Sequence, residues 1–152
     1  LTFDGNLLTV TGDITVSGKY SYTHNPITEL SASGVYGDIV SFGSGTTVAY
    51  SCYYFSSTSA WVLTDADAAG SAIGLIGIAL STAPSSGILL RGYVRNNSWS
   101  WATASSLYLN TTTSGGLTTT APTAANDIIR IVGYAISSNT IYFCPDNTWI
   151  EI

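Results

Sequence analysis

A chain of 152 residues with 9% charged side chains and a formal net charge of −5 is long enough for one domain that buries about 68–70% of its unfolded surface. The charged share falls well below the usual ~25%, so hydroxyls and amides must solvate the surface, as in a rugged protein exposed outside the cell. Positive charge is confined to Lys19, Arg91, Arg95 and Arg130, which argues against nucleic acid and against anionic membranes, since both need clustered cations. The longest apolar stretch, "AIGLIGIAL" from Ala72 to Leu80, is too short to span a bilayer. The chain begins at Leu1 and contains no Met, and is therefore expected to be a fragment or a processed product.

At the N-terminus "LTVTG" (Leu8–Gly12) is followed by "ITVSG" (Ile14–Gly18). Apolar residues alternate with Thr, as on strands with one buried face, and glycines mark the turns. So short a β segment cannot bury its own face. Leu8, Val10, Ile14 and Val16 are therefore expected to meet sister copies, making residues 1–18 the end of a multi-chain fibre shaft. The alternative is that they pack on their own globular domain. Residues 19–36, "KYSYTHNPITELSASGVY", break the repeat with Pro26, Gly34 and polar residues and read as a linker or collar.

Residues 37–152 are predicted to form a globular knob. The runs "DIVSF", "TTVAYSCYYF", "SAWVL", "GILLRGYV", "SLYL", "DIIRIVGYAI" and "TIYFC" are rich in β-branched and aromatic residues and bounded by Gly, Asn, Ser and Pro. Helical signals are almost absent. The expected fold is all-β, an antiparallel sandwich or small barrel. It is also expected to be internally duplicated. "LIGIALS" (Leu75–Ser81) matches "IVGYAIS" (Ile131–Ser137), and Tyr54, Leu63 and Thr64 match Tyr108, Leu117 and Thr118 at one constant offset. Gly77 and Gly133 sit inside apolar strands, where glycine permits a bulge or close backbone approach.

The stretch "TDADAAGS", Thr64 to Ser71, sets Asp65 and Asp67 one residue apart. It reads as a polar elbow between strands, in which Asp side chains accept backbone N–H bonds. A calcium site wants six to eight oxygens and this fragment supplies few, so no metal or other cofactor is expected. Glycoside hydrolysis needs facing carboxylates, and Asp38, Asp65, Asp67, Asp127 and Asp146 all lie in turn-like contexts. His24, the single histidine, lies in the linker. The sequence holds no G-x-S-x-G, phosphate loop, H-E-x-x-H or C-x-x-C, so the chain is not expected to be an enzyme. In "RGYVRNNSWSW", Arg91, Tyr93 and Arg95 should share one strand face, with Trp99 and Trp101 beyond them. Such aromatic planes and guanidinium forks suit saccharide recognition. The alternative is a set of core or subunit-interface aromatics, since Trp and Tyr dominate buried contacts. Cys52 and Cys144 allow one long-range disulfide, but are read as two small buried thiols.

The segments "GDIVSFGSGTTVAYSCYYFSSTSAWVLTDADA", "GLIGIAL", "GILLRGYVR", "GGLTTTAP" and "IIRIVGYAIS…IYFCPDNTWIEI" together resemble the C-terminal domain of tailed-bacteriophage virion proteins, namely tail fibres and related head-fibre or capsid-decoration proteins. "LTVTGDITVSG" resembles the β repeats that precede such domains. The resemblance spans Gly37 to Ile152. It implies a homotrimeric, non-enzymatic distal module on the virion, joined to other virion proteins through an upstream region. A tail-fibre tip would attach to the host surface through a glycan; a decoration or head-fibre protein would project from the shell; a polysaccharide depolymerase is the remaining alternative. Assembly in a reducing cytosol also favours free thiols.

Overall fold

The computed structural model describes residues 17–18, 25–27, 30 and 34–152. The proposed shaft contacts of Leu8, Val10, Ile14 and Val16, and His24, lie outside the described residues. The described chain is mostly β. Its strands are β1 (Val35–Val40), β2 (Cys52–Phe55), β3 (Trp61–Leu63), β4 (Ile76–Ala79), β5 (Ile88–Arg95), β6 (Ser106–Leu109), β7 (Leu117–Thr118), β8 (Ile128–Ile129), β9 (Ile131–Ala135), β10 (Thr140–Phe143) and β11 (Ile150–Glu151), with one short helix, α1 (Ala69–Ala72). Nine strands form a single antiparallel sheet in the order β3-β2-β4-β5-β10-β9-β6-β7, with β1 on β5; β8 and β11 form a separate pair. The sheet curls as a half-barrel. β1 begins at Val35, so Val35 and Tyr36, assigned to the linker from sequence, already pair with Val94 and Tyr93.

The sequence repeat is visible in the wiring. β2 pairs with β3 and β4, and β4 with β5. In the second half β6 pairs with β7 and β9, and β9 with β10. Even the register repeats: the rungs Cys52↔Ile78 and Tyr53↔Gly77 have as counterparts Ser106↔Tyr134 and Leu107↔Gly133. Gly77 and Gly133 occupy the same place in the two halves. A Cβ on Gly77 would lie 3.1 Å from the Leu89 carbonyl oxygen, and one on Gly133 would lie 2.5 Å from that of Tyr142, the matching neighbour.

The two halves meet on β5. β1 pairs with β5 on both sides of its bulge and occupies one whole edge. On the other edge β4 takes Ile88 and Leu89, whereas β10 takes Gly92 to Arg95. The edge therefore forks, leaving Leu90 and Arg91 between the arms. At the same place the register slips: Asp38 faces Arg91 but Ile39 faces Leu89, so Leu90 is the extra residue of a β-bulge. The bulge reverses the inside–outside parity of the strand. Leu89 and Val94 are five residues apart, which in a regular strand puts them on opposite faces, yet both are fully buried in the main core.

That reversal presents opposite faces of the repeat to one core. Cys52, Ile78 and Leu89 point into the main core with Leu107, Val132, Ile141 and Phe143. The other face of the first half, Tyr53, Trp61, Ala79 and Ile88, forms a second cluster. It is capped by the segment after β1: Phe42 packs edge-on to Phe55 at 5.0 Å, and the Trp61 indole N–H donates to the Phe42 carbonyl at 2.8 Å. The far ends of the sheet approach each other through Gly115, whose carbonyl accepts from Cys52 N–H (2.8 Å) and whose N–H donates to the Thr64 carbonyl (2.7 Å).

The run "DIIRIVGYAI", read as one strand, is two. It breaks at Arg130: β8 leaves the main sheet to pair with β11, as Ile129↔Ile150 and Ile128↔Glu151. Cys52 and Cys144 are both free, and Cys52 is fully buried. Burial without a charged partner pushes the Cys52 thiol up to about 12, so it behaves as a small apolar side chain.

Candidate functional site on the outer tyrosine face

Register assembles a surface that no single segment contains. Tyr36 lies opposite Tyr93, Tyr93 opposite Tyr142, and Tyr142 opposite Tyr134. Directly opposed residues share a face, so these tyrosines form one row across β1, β5, β10 and β9. The neighbouring rung, Val35, Val94, Ile141 and Ala135, points the other way and packs on the core. The row therefore faces outward. Tyr36, Tyr93 and Tyr142 are half-buried, and Tyr134 is 43% exposed. In the first half the matching face is core, lined by Ile78 and Leu89.

The row is fixed in place. The Tyr93 and Tyr142 rings lie 4.8 Å apart at an interplanar angle of 37°, and cross-strand aromatic pairs of this kind contribute roughly 0.2–1 kcal/mol. Arg91 Nε donates to the Tyr142 hydroxyl at 3.0 Å, and this bond holds the guanidinium above its ordinary value. Asp38 lies directly opposite Arg91. At the other end Arg95 donates from Nε to Asn97 Oδ1 (3.0 Å) and from Nη1 to the Leu30 carbonyl (3.1 Å), which ties the buried Leu30 to the knob. Beside Tyr134 a concavity of about 430 Å³ runs past Arg91, Cys144 and Asp146. Rings held by a sheet, a fork with free N–H edges and an acid make a surface that can stack on a flat ring and bond its hydroxyls.

Arg91, Tyr93 and Arg95 thus share one outward face, as the alternation predicts. Trp99 and Trp101 do not join them. They pack against the main core, with Trp99 5.9 Å from Trp101 and 5.8 Å from Tyr50. The Trp101 indole N–H is buried without an acceptor. Tyr36, Tyr134 and Tyr142 were missed from sequence, since cross-strand register is not written in any local pattern.

The "TDADAAGS" stretch is an elbow. Ala66 is fully buried; its N–H donates to the Asn110 carbonyl (3.1 Å) and its carbonyl accepts from Ile128 N–H (2.7 Å). Asp65 Oδ2 accepts from the Ser114 hydroxyl at 2.8 Å, and Oδ1 from Asp67 N–H at 3.4 Å. The Asp65 charge, with smaller contributions from desolvation and Asp127, pushes Asp67 above the usual carboxylate range. Among the described residues, no three His, Cys, Asp or Glu side chains come together as a metal-holding group, and no helix is long and apolar enough to cross a membrane. No family model matches the chain, and no curated protein or solved structure is significantly similar to it.

Proposed function

We propose that this chain is the distal part of a bacteriophage tail fibre, and that its outer tyrosine face attaches the virion to a saccharide of the host surface. The observation that carries the binding part is the row Tyr36–Tyr93–Tyr142–Tyr134 on one outer sheet face, an aromatic platform whose Tyr134 end is 43% exposed. Tyrosine offers a flat apolar body and a polar tip at low conformational cost. Arg91 and Arg95 flank the row and Asp38 adds an acceptor. The mechanism is recognition without bond breaking. The virion part of the reading rests on the sequence segments that resemble phage fibre domains and on the low charge content. Three copies joined through the N-terminal repeats would present three platforms, and linked weak sites gain avidity without new contacts.

The test is a bacterial-glycan array probed with the whole chain and with Tyr93→Ala/Tyr142→Ala. The proposal expects a restricted set of saccharides bound by the parent and lost in the double variant, with its melting transition retained. No bound saccharide, or undiminished binding by the variant, contradicts it. If the particle carries the chain on its head, as immunogold labelling would show, the tail-fibre assignment fails and a decoration protein takes its place.

A further inference from the structure

A second feature sits in the fork of β5. Between the arms lies a cavity of about 440 Å³, walled by Leu75, Leu90, Arg130, Asn147 and Trp149. Its size falls in the ordinary range for small-ligand pockets, ~300–1,000 Å³. Arg130 is only 3% exposed, and arginine is rarely buried unless paired. Among the described residues no carboxylate bonds to this guanidinium. It is held by three backbone carbonyls: Nε donates to Asp146 (2.7 Å), and Nη1 to Ala72 and Gly74 (both 3.1 Å). Nη2 donates to none of them and is not fully enclosed, and Arg130 lines the cavity, which leaves Nη2 as the nitrogen available to it. Desolvation lowers the guanidinium's proton affinity, partly offset by Asp146, yet arginine keeps its charge in proteins. A buried positive charge without a directly bonded carboxylate, offset only in part by Asp146, is costly and is relieved by an incoming anion.

We propose that the fork cavity is a carboxylate subsite, in which Arg130 Nη2 binds the acid group of a charged sugar such as a uronate while Trp149 stacks on its ring. Two observations select this ligand. Among the described residues Arg130 is the one cation on the cavity wall, with a single terminal nitrogen left unbonded, which suits a monoanion; a dianionic phosphate would lose more hydration than one fork returns. The Trp149 indole is 39% exposed and lines the same wall. Leu90, Pro145 and Asn147 line both this cavity and the concavity beside Tyr134. An acidic saccharide can therefore run from the subsite onto the tyrosine row. This choice of ligand rests on the saccharide reading of that row.

The experiment is a titration of the isotope-labelled whole chain with methyl glucuronide and, separately, with methyl glucoside, which has the same ring without the charge. Glucuronide is expected to shift the Arg130 Nε–H and Trp149 indole signals with at least tenfold tighter binding than glucoside. Leu75→Asp, a change at a residue 43% exposed on the cavity rim, should weaken glucuronide by like-charge repulsion and leave the fold intact. If both sugars shift only the tyrosine row, the carboxylate subsite is wrong and the saccharide reading stands. If long bacterial saccharides also fail to bind, both are wrong. Equal affinity for the two sugars at the cavity, or no effect of Leu75→Asp on glucuronide, overturns the role of charge.

Discussion

Leu89 and Val94 lie on one strand, five residues apart, and both side chains are fully buried in the same core. The bulge at Leu90 makes this possible, and with it the outward placement of Tyr93. Deleting Leu90 removes the extra residue and leaves Leu89 and Val94 four apart, on one face of a regular strand, with Tyr93 still on the other. The deletion variant is therefore expected to keep a cooperative thermal transition. Leu90→Ala keeps the count and trims one partly buried side chain, so it should cost only about 1–2 kcal/mol. Thermal melts of the two variants check this.

The repeated glycines give a second prediction. At Gly133 an added methyl group would lie 2.5 Å from the Tyr142 carbonyl oxygen and 3.2 Å from Phe143 Cα, both backbone atoms that cannot turn away. Gly77 has its backbone contact farther off, 3.1 Å from the Leu89 carbonyl, but it also meets the Ile88 side chain. Gly133→Ala should therefore destabilise by about 2–3 kcal/mol and Gly77→Ala by about 1–2 kcal/mol. Urea denaturation of both variants would measure the order.

Asp67 gives a pH signature. Its native proton affinity is raised, first by the Asp65 charge. The folded chain then binds more protons than the unfolded one through the carboxylate range, so this group's contribution to stability falls as pH rises. Above the folded value the unfavourable contribution is fully present; below the unfolded value of about 3.9 it is gone. Asp67→Asn should raise the melting temperature at pH 7 and leave it unchanged near pH 2.5. A gain of equal size at both values would mean that charge repulsion is not its source.

Trp99 separates packing from recognition. It is half-buried between Tyr50 and Trp101 and touches the main core. Trp99→Ala is expected to cost about 2–3 kcal/mol and to leave saccharide affinity of the folded fraction within twofold. Calorimetric melting beside a binding isotherm would show whether the two effects part in this way.

Much of the architecture is legible in the sequence, because β-branched runs and turn residues mark the strands and the two matched apolar segments reveal the repeat. The elbow at Asp65–Ser71 is legible too, since Asp beside Ala and Gly without an apolar period satisfies turns. The short helix α1 within it carries no capping residue and leaves no trace. The site is only half legible. Alternation places Arg91, Tyr93 and Arg95 together, but Tyr36, Tyr142 and Tyr134 join them through register across four strands. Trp99 and Trp101 look alike with Tyr93 in sequence and turn inward because the chain leaves the sheet after Arg95. Arg130 sits in an apolar run that reads as continuous strand; its burial at the break between β8 and β9 follows from pairing with the distant β11.

The most direct test of the central claim is a titration of tyrosine-ring-labelled protein with the saccharide that binds it best. The account predicts that the ring signals of Tyr93, Tyr134 and Tyr142 move together and saturably, while that of Tyr53, 2% exposed in the second cluster, stays fixed. Perturbation confined to Tyr50 and the tryptophans beside it would contradict the account.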